Sequence, residues 1–445
     1  MTVSQNLSVG LVVTQRNVLD DLVMEMLEHL GIEYEIVEPT TSRRKHPAVL
    51  ISRSSPDSMF VAKQHSLLEE NIISVDEIVR FDSVLSLLSG TDQRAGDQFD
   101  LLVNGEEQKL RGSIKSAFKR LDLPFVFKWY WPGFKPACCV LTHDIDWLTY
   151  SPLHKAVFRG PMKPSKSLKL VKSGLLKDRD FGWNIPSTVE LEKKYGARST
   201  FFFLTRYEAD TLPIFRESLE LLKRNDFEIA LHGYRASHKN MESLNSELAT
   251  FKDNTGLAPA GLRYHVLKFR VPDSWLLEVK AGLKYDATFA YNEFFGFRGG
   301  ICFPYHPFND SRLPIVEIPT GFMDWTALKR GLRGSKLNSK IEETRELVEK
   351  FHGAFVVNFH NTYLNPETFE DVYSAYENIL KSVTSRNYWI CTAKECAEWW
   401  EYRSNTKLDP IADPSGNVTV SSKSNITLVQ EKADSAVEEV KAIVA

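Results

Sequence analysis

Over the first ninety positions, short solid runs of apolar residues alternate with a helical beat. Ser8 to Thr14 (SVGLVVT) is a run of β type, after which Val18, Leu19, Leu22, Val23, Met26, Leu27 and Leu30 recur at helical spacing. That spacing lays one apolar stripe along a helix, and Gly31 is placed to stop it. Ile32 to Val37, Ala48 to Ser52 and Ile72 to Val75 read as further strands. The alternation predicts a small doubly wound, Rossmann-like α/β domain over residues 1–95. It has no GxGxxG and no P-loop, so no nucleotide is assigned to it. The polar break Ser89 to Gln98 (SGTDQRAGDQ) marks a boundary. Residues 96–134 read as a connecting segment whose end is aromatic: Phe125, Phe127, Trp129, Tyr130, Trp131 and Phe134. Core packing is the favoured reading of that run, ahead of a sugar platform.

From residue 135 the pattern becomes regular. Cys138 to Thr142 is a short buried strand that runs into His143, Asp144, Ile145 and Asp146. Strands follow at Ser199 to Leu204, Phe227 to Leu231, Gly261 to Tyr264, Asp286 to Ala290, Pro314 to Ile318 and Ala354 to Phe359, with helical stretches between. Ser187 with Glu190, Ser339 with Glu342 and Thr392 with Glu395 have capping-box spacing. Repeated helix–strand units with polar residues at the strand ends are the pattern of an α/β barrel, spanning 135–404. A basic insertion occupies 151–180, with eight Lys and Arg against Asp178 and Asp180. A solvated loop is the favoured reading; a flap touching a membrane surface or a lipid-linked substrate is the alternative. Beyond 405 the chain is rich in Ser, Asn, Thr and Asp and reads as a flexible tail, with a short helix at Ala433 to Ile443.

Residues two apart on a strand share a face, so Asp144 and Asp146 project together. Two adjacent carboxylates need a cation or a shared proton, which makes the pair a candidate for one metal ligand and one general base. The polar residues at strand ends are Asp144, Asp146, His232, Arg263, His265, Asp324 and His360. In a barrel such ends converge on one face, and carboxylate with imidazole suits a divalent metal such as Zn²⁺.

The formal net charge of −3 over 445 residues gives no reason to expect nucleic acid. The N-terminus lacks a secretory pattern, no apolar run approaches a membrane span, and the five cysteines form no CxxC pair. A cytoplasmic protein with reduced thiols is the expectation.

The order of motifs resembles the polysaccharide deacetylase family, carbohydrate esterase family 4. Thr142-His143-Asp144-Ile145-Asp146 is similar to its first motif, and His232-Gly-Tyr-Arg-Ala-Ser-His238 to its second. Arg263-Tyr264-His265, Asp324-Trp325 and Val356-Val357-Asn358-Phe359-His360 are similar to the third, fourth and fifth. The resemblance covers about residues 135–400. It implies a distorted (β/α) barrel, preceded here by the small α/β domain, and a metal-dependent N-deacetylase acting on an N-acetylated sugar or polysaccharide. In that reading Asp144 is the base, braced by Arg263. His360 is the general acid, and Asp324 balances Arg263 or supports His360. Asp146, His232 and His238 hold the metal.

Two departures matter. His238 lies six residues after His232 where the family has four, so Ser237 or His265 is an alternative third contact. His265 itself stands where the family has proline. His265, Tyr264, Tyr291 and Arg298 are the candidate substrate contacts, with Phe297 beside them. Two other readings stay open: a hydrolase of another non-peptide C–N amide, and a barrel without turnover that serves as a glycan-binding or assembly module.

Overall fold

The strand that ends at the paired aspartates is the most connected element of the chain. In the computed structural model of the protein, β1 (Cys138–Ile145) is buried along its whole length. The structure describes residues 4–38, 44–53, 55–92, 94–148, 183–205, 212–421, 424–431, 437–440 and 443–444; the basic stretch 151–180, with both its solvated-loop and its membrane or lipid reading, lies outside them. Eight further strands join β1 in one sheet: β2 (Thr200–Phe203), β3 (Glu228–Gly233), β4 (Gly261–Tyr264), β5 (Tyr285–Asp286), β6 (Val316–Glu317), β7 (Phe322–Met323), β8 (Ala354–Asn358) and β9 (Trp389–Cys391). Their order is β6-β5-β4-β3-β2-β1-β8-β7, with β9 also on β1. Every ladder in it is parallel.

One edge of β1 is shared. Residues 138–140 pair with β9 and residues 142–145 with β2, while β8 runs along the other edge. The outermost strands β6 and β7 are joined by residues 318–321 alone. An extended link of that length reaches about 17 Å, so the sheet must curl until its two edges nearly meet. The result is an incomplete (β/α) barrel, in agreement with the fold expected from the sequence. Parallel strands covered by helices need apolar residues on both faces. Val140, Leu141, Phe201, Phe202, Phe203, Val356 and Val357 supply them, all fully buried.

The N-terminal residues form a parallel sheet of four strands. Val9–Val12 lies between Tyr34–Val37 and Val49–Ile51, with Ile72–Ser74 outermost, all parallel. The helix Val18–Leu30 starts in a capping box on Asn17 and ends at Gly31, whose φ is +71°. A side chain there would meet the Lys128 carbonyl at 2.2 Å, so both the turn and the close approach require glycine. This unit shares one continuous apolar core with the barrel, from Leu7 through the aromatic run to Trp400 and Val429.

Four expectations are corrected. The connecting segment 96–134 contains a helix of 19 residues, Leu102–Arg120, whose stripe Val103, Leu110, Ile114, Ala117 and Phe118 is buried. Described residues of the expected flexible tail instead form strands. Ile411–Ala412 pairs with Gln5–Asn6, and Leu428–Glu431 pairs with Val126–Lys128, both antiparallel. Val418, Val420, Leu428 and Val429 are buried there, and Glu431 takes Arg111 at 2.6 Å and Lys115 at 2.7 Å. Part of the expected helix at 433–443, Val437–Glu439, is a strand. Among the three capping boxes, only Thr392 with Glu395 caps a helix. Ser187 and Ser339 sit inside helices that start earlier, at Ile185 and Gly334.

Candidate metal centre and active site

The strand register delivers the polar residues to one end of the barrel. Thr142 and Asp144 alternate along β1, and Asp146 follows one residue past its end. Arg263 on β4 lies opposite His232 on β3. Thr142 lies opposite Asn358 on β8, two residues before His360. His265 begins the turn after β4, and Asp324 opens the short helix after β7.

Asp146, His232 and His265 offer ligand atoms that all lie within 4.8 Å of one another. Asp146 Oδ1 is 3.2 Å from His232 Nε2 and 3.5 Å from His265 Nε2. The His232 Nδ1–H donates to the Arg263 carbonyl at 2.8 Å, which aims Nε2 at the aspartate. Asp146 Oδ1 and His232 Nε2 are buried, yet neither has a partner in hydrogen-bond geometry. Buried polar atoms are rarely left so. A borderline divalent cation would satisfy both, and one carboxylate with two imidazoles is a donor set such ions accept. Burial favours the uncharged form of His265 and outweighs the pull of Asp146, so its imidazole is held below its usual pKa, as a ligand requires. Burial opposes charge on Asp146, but the close imidazoles of His232, His360 and His265 keep it ionised.

His238 is not brought to this cluster. The chain turns at Arg235, whose φ is +57°, and enters a short 3₁₀ turn at Ser237–Lys239. There the His238 ring packs against Tyr264, with centroids 6.0 Å apart. Six residues carry it past the position that a spacing of four would reach, and His265 stands in the place left open.

Asp144 sits beside the cluster and is held from both sides. Arg263 Nη1 donates to its Oδ1 at 3.0 Å and Asn358 Nδ2 to its Oδ2 at 2.8 Å. Arg263 is itself fully buried and also donates to Thr142 Oγ1, Thr320 Oγ1 and the Ala287 carbonyl. Burial works against ionising Asp144. The charges of His232, Arg263 and His360 overcome it and hold the carboxyl well below the usual range. Across the cavity, Asp324 clamps His360 twice: Oδ1 lies 2.6 Å from Nδ1, and Oδ2 accepts the His360 backbone N–H at 2.8 Å. Asp324 therefore serves His360 and not Arg263. Burial disfavours the imidazolium, but Asp324 and the two site aspartates raise the His360 pKa to about 10. Its Nε2 faces Asp144 Oδ2 at 3.8 Å.

These groups open on a cavity of about 520 Å³ lined by Asp144, Asp146 and His360 together with Trp147, Val266, Trp325 and Tyr363. Trp147 and Val266 are 45% and 50% exposed, unusual for large apolar side chains. The other candidate substrate contacts stand elsewhere. Tyr264 is buried at 1% exposure, Arg298 lies over the Phe289 ring at 4.2 Å, and Tyr291 packs on Phe294. Asn358, Thr142 and Thr320 join the site although their residue types alone do not mark them as functional. A period of two was the available signal for the first pair: Asn358 precedes His360 as Thr142 precedes Asp144.

No family model matches the chain, and no curated protein matches it. Among solved structures it is similar to a candidate polysaccharide deacetylase from Mycobacterium smegmatis, at 18% identity over 63% of this chain and 95% of that one, with a TM-score of 0.46. It is also similar to the allantoinase PuuE, at 16% identity over 61% and 92% of the two chains, with a TM-score of 0.44. A probable polysaccharide deacetylase from Pseudomonas aeruginosa PAO1 is similar at 15% identity over 61% and 93%, with a TM-score of 0.44.

Proposed function

We propose that this protein is a metal-dependent hydrolase that removes N-acetyl groups from an amino sugar or polysaccharide, in carbohydrate or cell-surface polysaccharide metabolism. One observation carries the reading. A braced, ionised Asp144 and a clamped, charged His360 flank a carboxylate–imidazole set with two unpartnered buried atoms, and Asp144, Asp146 and His360 line one cavity. The motif order at Asp144, Arg263, Asp324 and His360 adds the deacetylase class.

Asp146, His232 and His265 would hold the cation. A divalent ion there, Zn²⁺ in our reading, supplies polarisation of the acyl carbonyl and the acidified water that a carboxylate as weakly basic as Asp144 needs. Asp144 accepts the proton of the attacking water. Arg263 and Asn358 keep its two oxygens oriented during that transfer. His360, with Nδ1 committed to Asp324, has Nε2 to protonate the departing amine. Trp147, Trp325 and Val266 offer apolar faces for the carbon side of a sugar ring.

The test is acetate release from N-acetylated sugars and chitin-type oligomers by the zinc-loaded protein. Asp144→Asn should lose at least about a hundredfold in rate, in the range of general-base contributions, while keeping its metal. Wild-type turnover in Asp144→Asn contradicts the assignment. Release of ammonia or urea without acetate moves the protein to another C–N amide.

A further inference from the structure

Three of the five cysteines meet at the opposite end of the barrel from the aspartates. Cys138 is the first residue of β1, Cys391 the last of β9, and Cys396 lies in the first turns of the helix Ala393–Asn405. Their three Sγ atoms lie within 4.8 Å of one another, with Cys138 and Cys391 at 3.4 Å. All three are at most 1% exposed, and all are free thiols. Cys139 and Cys302 are equally buried but belong to a different apolar cluster. At about 3.3 Å per residue along β1, Cys138 stands some 20 Å from Asp144.

We propose that Cys138, Cys391 and Cys396 form a second, soft-metal site that takes one monovalent d¹⁰ ion of the copper(I) class. The donor set decides the class. It is sulfur only, which selects soft ions over Mg²⁺, Ca²⁺ or Mn²⁺. Among the described residues no fourth Cys, His, Asp or Glu atom joins the three, whereas structural zinc is held by four ligands. With metal–sulfur bonds of about 2.3 Å, a trigonal ion needs sulfurs about 4 Å apart, between the 3.4 Å of the closest pair and the 4.8 Å that bounds all three. Each thiol that becomes a ligand releases its proton to solvent on binding. A buried site of this kind is filled as the chain folds. It would then tie the last strand and helix of the barrel to the base of β1.

The probe is Cu(I) offered as its bicinchoninate complex to the reduced full-length protein without oxygen. An Asp146→Ala background removes the carboxylate–imidazole set. Wild type and Asp146→Ala should each strip one equivalent from the chelator. Cys391→Ser and Cys396→Ser should bind at least tenfold more weakly, and Cys302→Ala should match wild type. No uptake by wild type, or equal uptake by the serine variants, overturns the proposal. If the serine variants do not fold, copper-edge X-ray absorption on loaded wild type decides. Sulfur scatterers alone at about 2.3 Å support the site, and nitrogen or oxygen scatterers overturn it.

Discussion

Replacing Arg263 by methionine removes the cation beneath the site while keeping most of the side-chain length. The guanidinium donates to Asp144 Oδ1 at 3.0 Å, Thr142 Oγ1 at 2.8 Å, Thr320 Oγ1 at 3.1 Å and the Ala287 carbonyl at 2.8 Å. Methionine replaces none of them. Asp144 is 3% exposed, so its charge is stranded with Asn358 and two imidazoles as its remaining partners. Removing one member of a buried ion pair costs about 3–5 kcal/mol, and the carbonyl left without a donor adds about 1–3 kcal/mol. Urea unfolding of the metal-free protein should therefore show a loss of at least about 3 kcal/mol for Arg263→Met. Combining it with Asp144→Asn removes the stranded charge. The double variant should then lose less than the sum of the singles, by more than about 1 kcal/mol. The cycle also has a pH signature. Stability from Asp144, whose carboxyl is depressed in the folded state, is present above the ordinary carboxylate range and lost as pH falls through the folded value. Without Arg263 that loss begins at higher pH. A loss under about 1 kcal/mol, or strict additivity, refutes the brace.

Two further outcomes follow from the same geometry. Asp324→Asn weakens the clamp on His360, and kcat should fall about 10–100-fold with metal content unchanged, the usual effect of a group that orients a site residue. Metal loss in that variant would contradict it. Between the N-terminal unit and the barrel, His29 lies 2.8 Å from Glu25 and 2.6 Å from Glu107, and His306 3.1 Å from Glu25. Burial opposes charge on both imidazoles, but the carboxylates overcome it and raise each pKa to about 9. The two carboxylates differ: burial pushes Glu107 up, whereas His306, His29 and Arg312 outweigh burial at Glu25 and hold it well down. Glu25 is the ionised partner. Because the folded values are raised, the stabilisation is complete below the ordinary histidine value near 6.5 and is lost as pH rises through about 9. The unfolding midpoint should fall across that window, and the fall should shrink in His306→Gln; an unchanged slope counts against the network.

Much of the barrel was legible because each strand carries its own signal. Solid apolar runs ending in Asp or His marked β1, β3 and β8, and Gly31 closed its helix where expected. What stayed hidden depends on tertiary partners. β7 is two residues long, and β9 exists because half of one edge of β1 is free to take it. The helix Leu102–Arg120 carries Gly105 and Gly112, which weaken its propensity, and its buried stripe forms against the N-terminal unit. Polar composition concealed the strands beyond 405, which gain stability by pairing with residues 5–6 and 126–128. Likewise, Ser-x-x-Glu spacing occurs inside helices as readily as at their starts. At the site, the types of residue were readable but the choice between His238 and His265 was not. It rests on a turn at Arg235 and on which ring faces Asp146.

That choice is also the most direct test of the account. Zinc content after reloading and dialysis should be measured on wild type, Asp146→Ala, His265→Ala and His238→Ala. The account predicts near one zinc per chain in wild type and in His238→Ala, and loss in Asp146→Ala and His265→Ala. Zinc retained by His265→Ala but lost from His238→Ala, or absent from wild type, would contradict it.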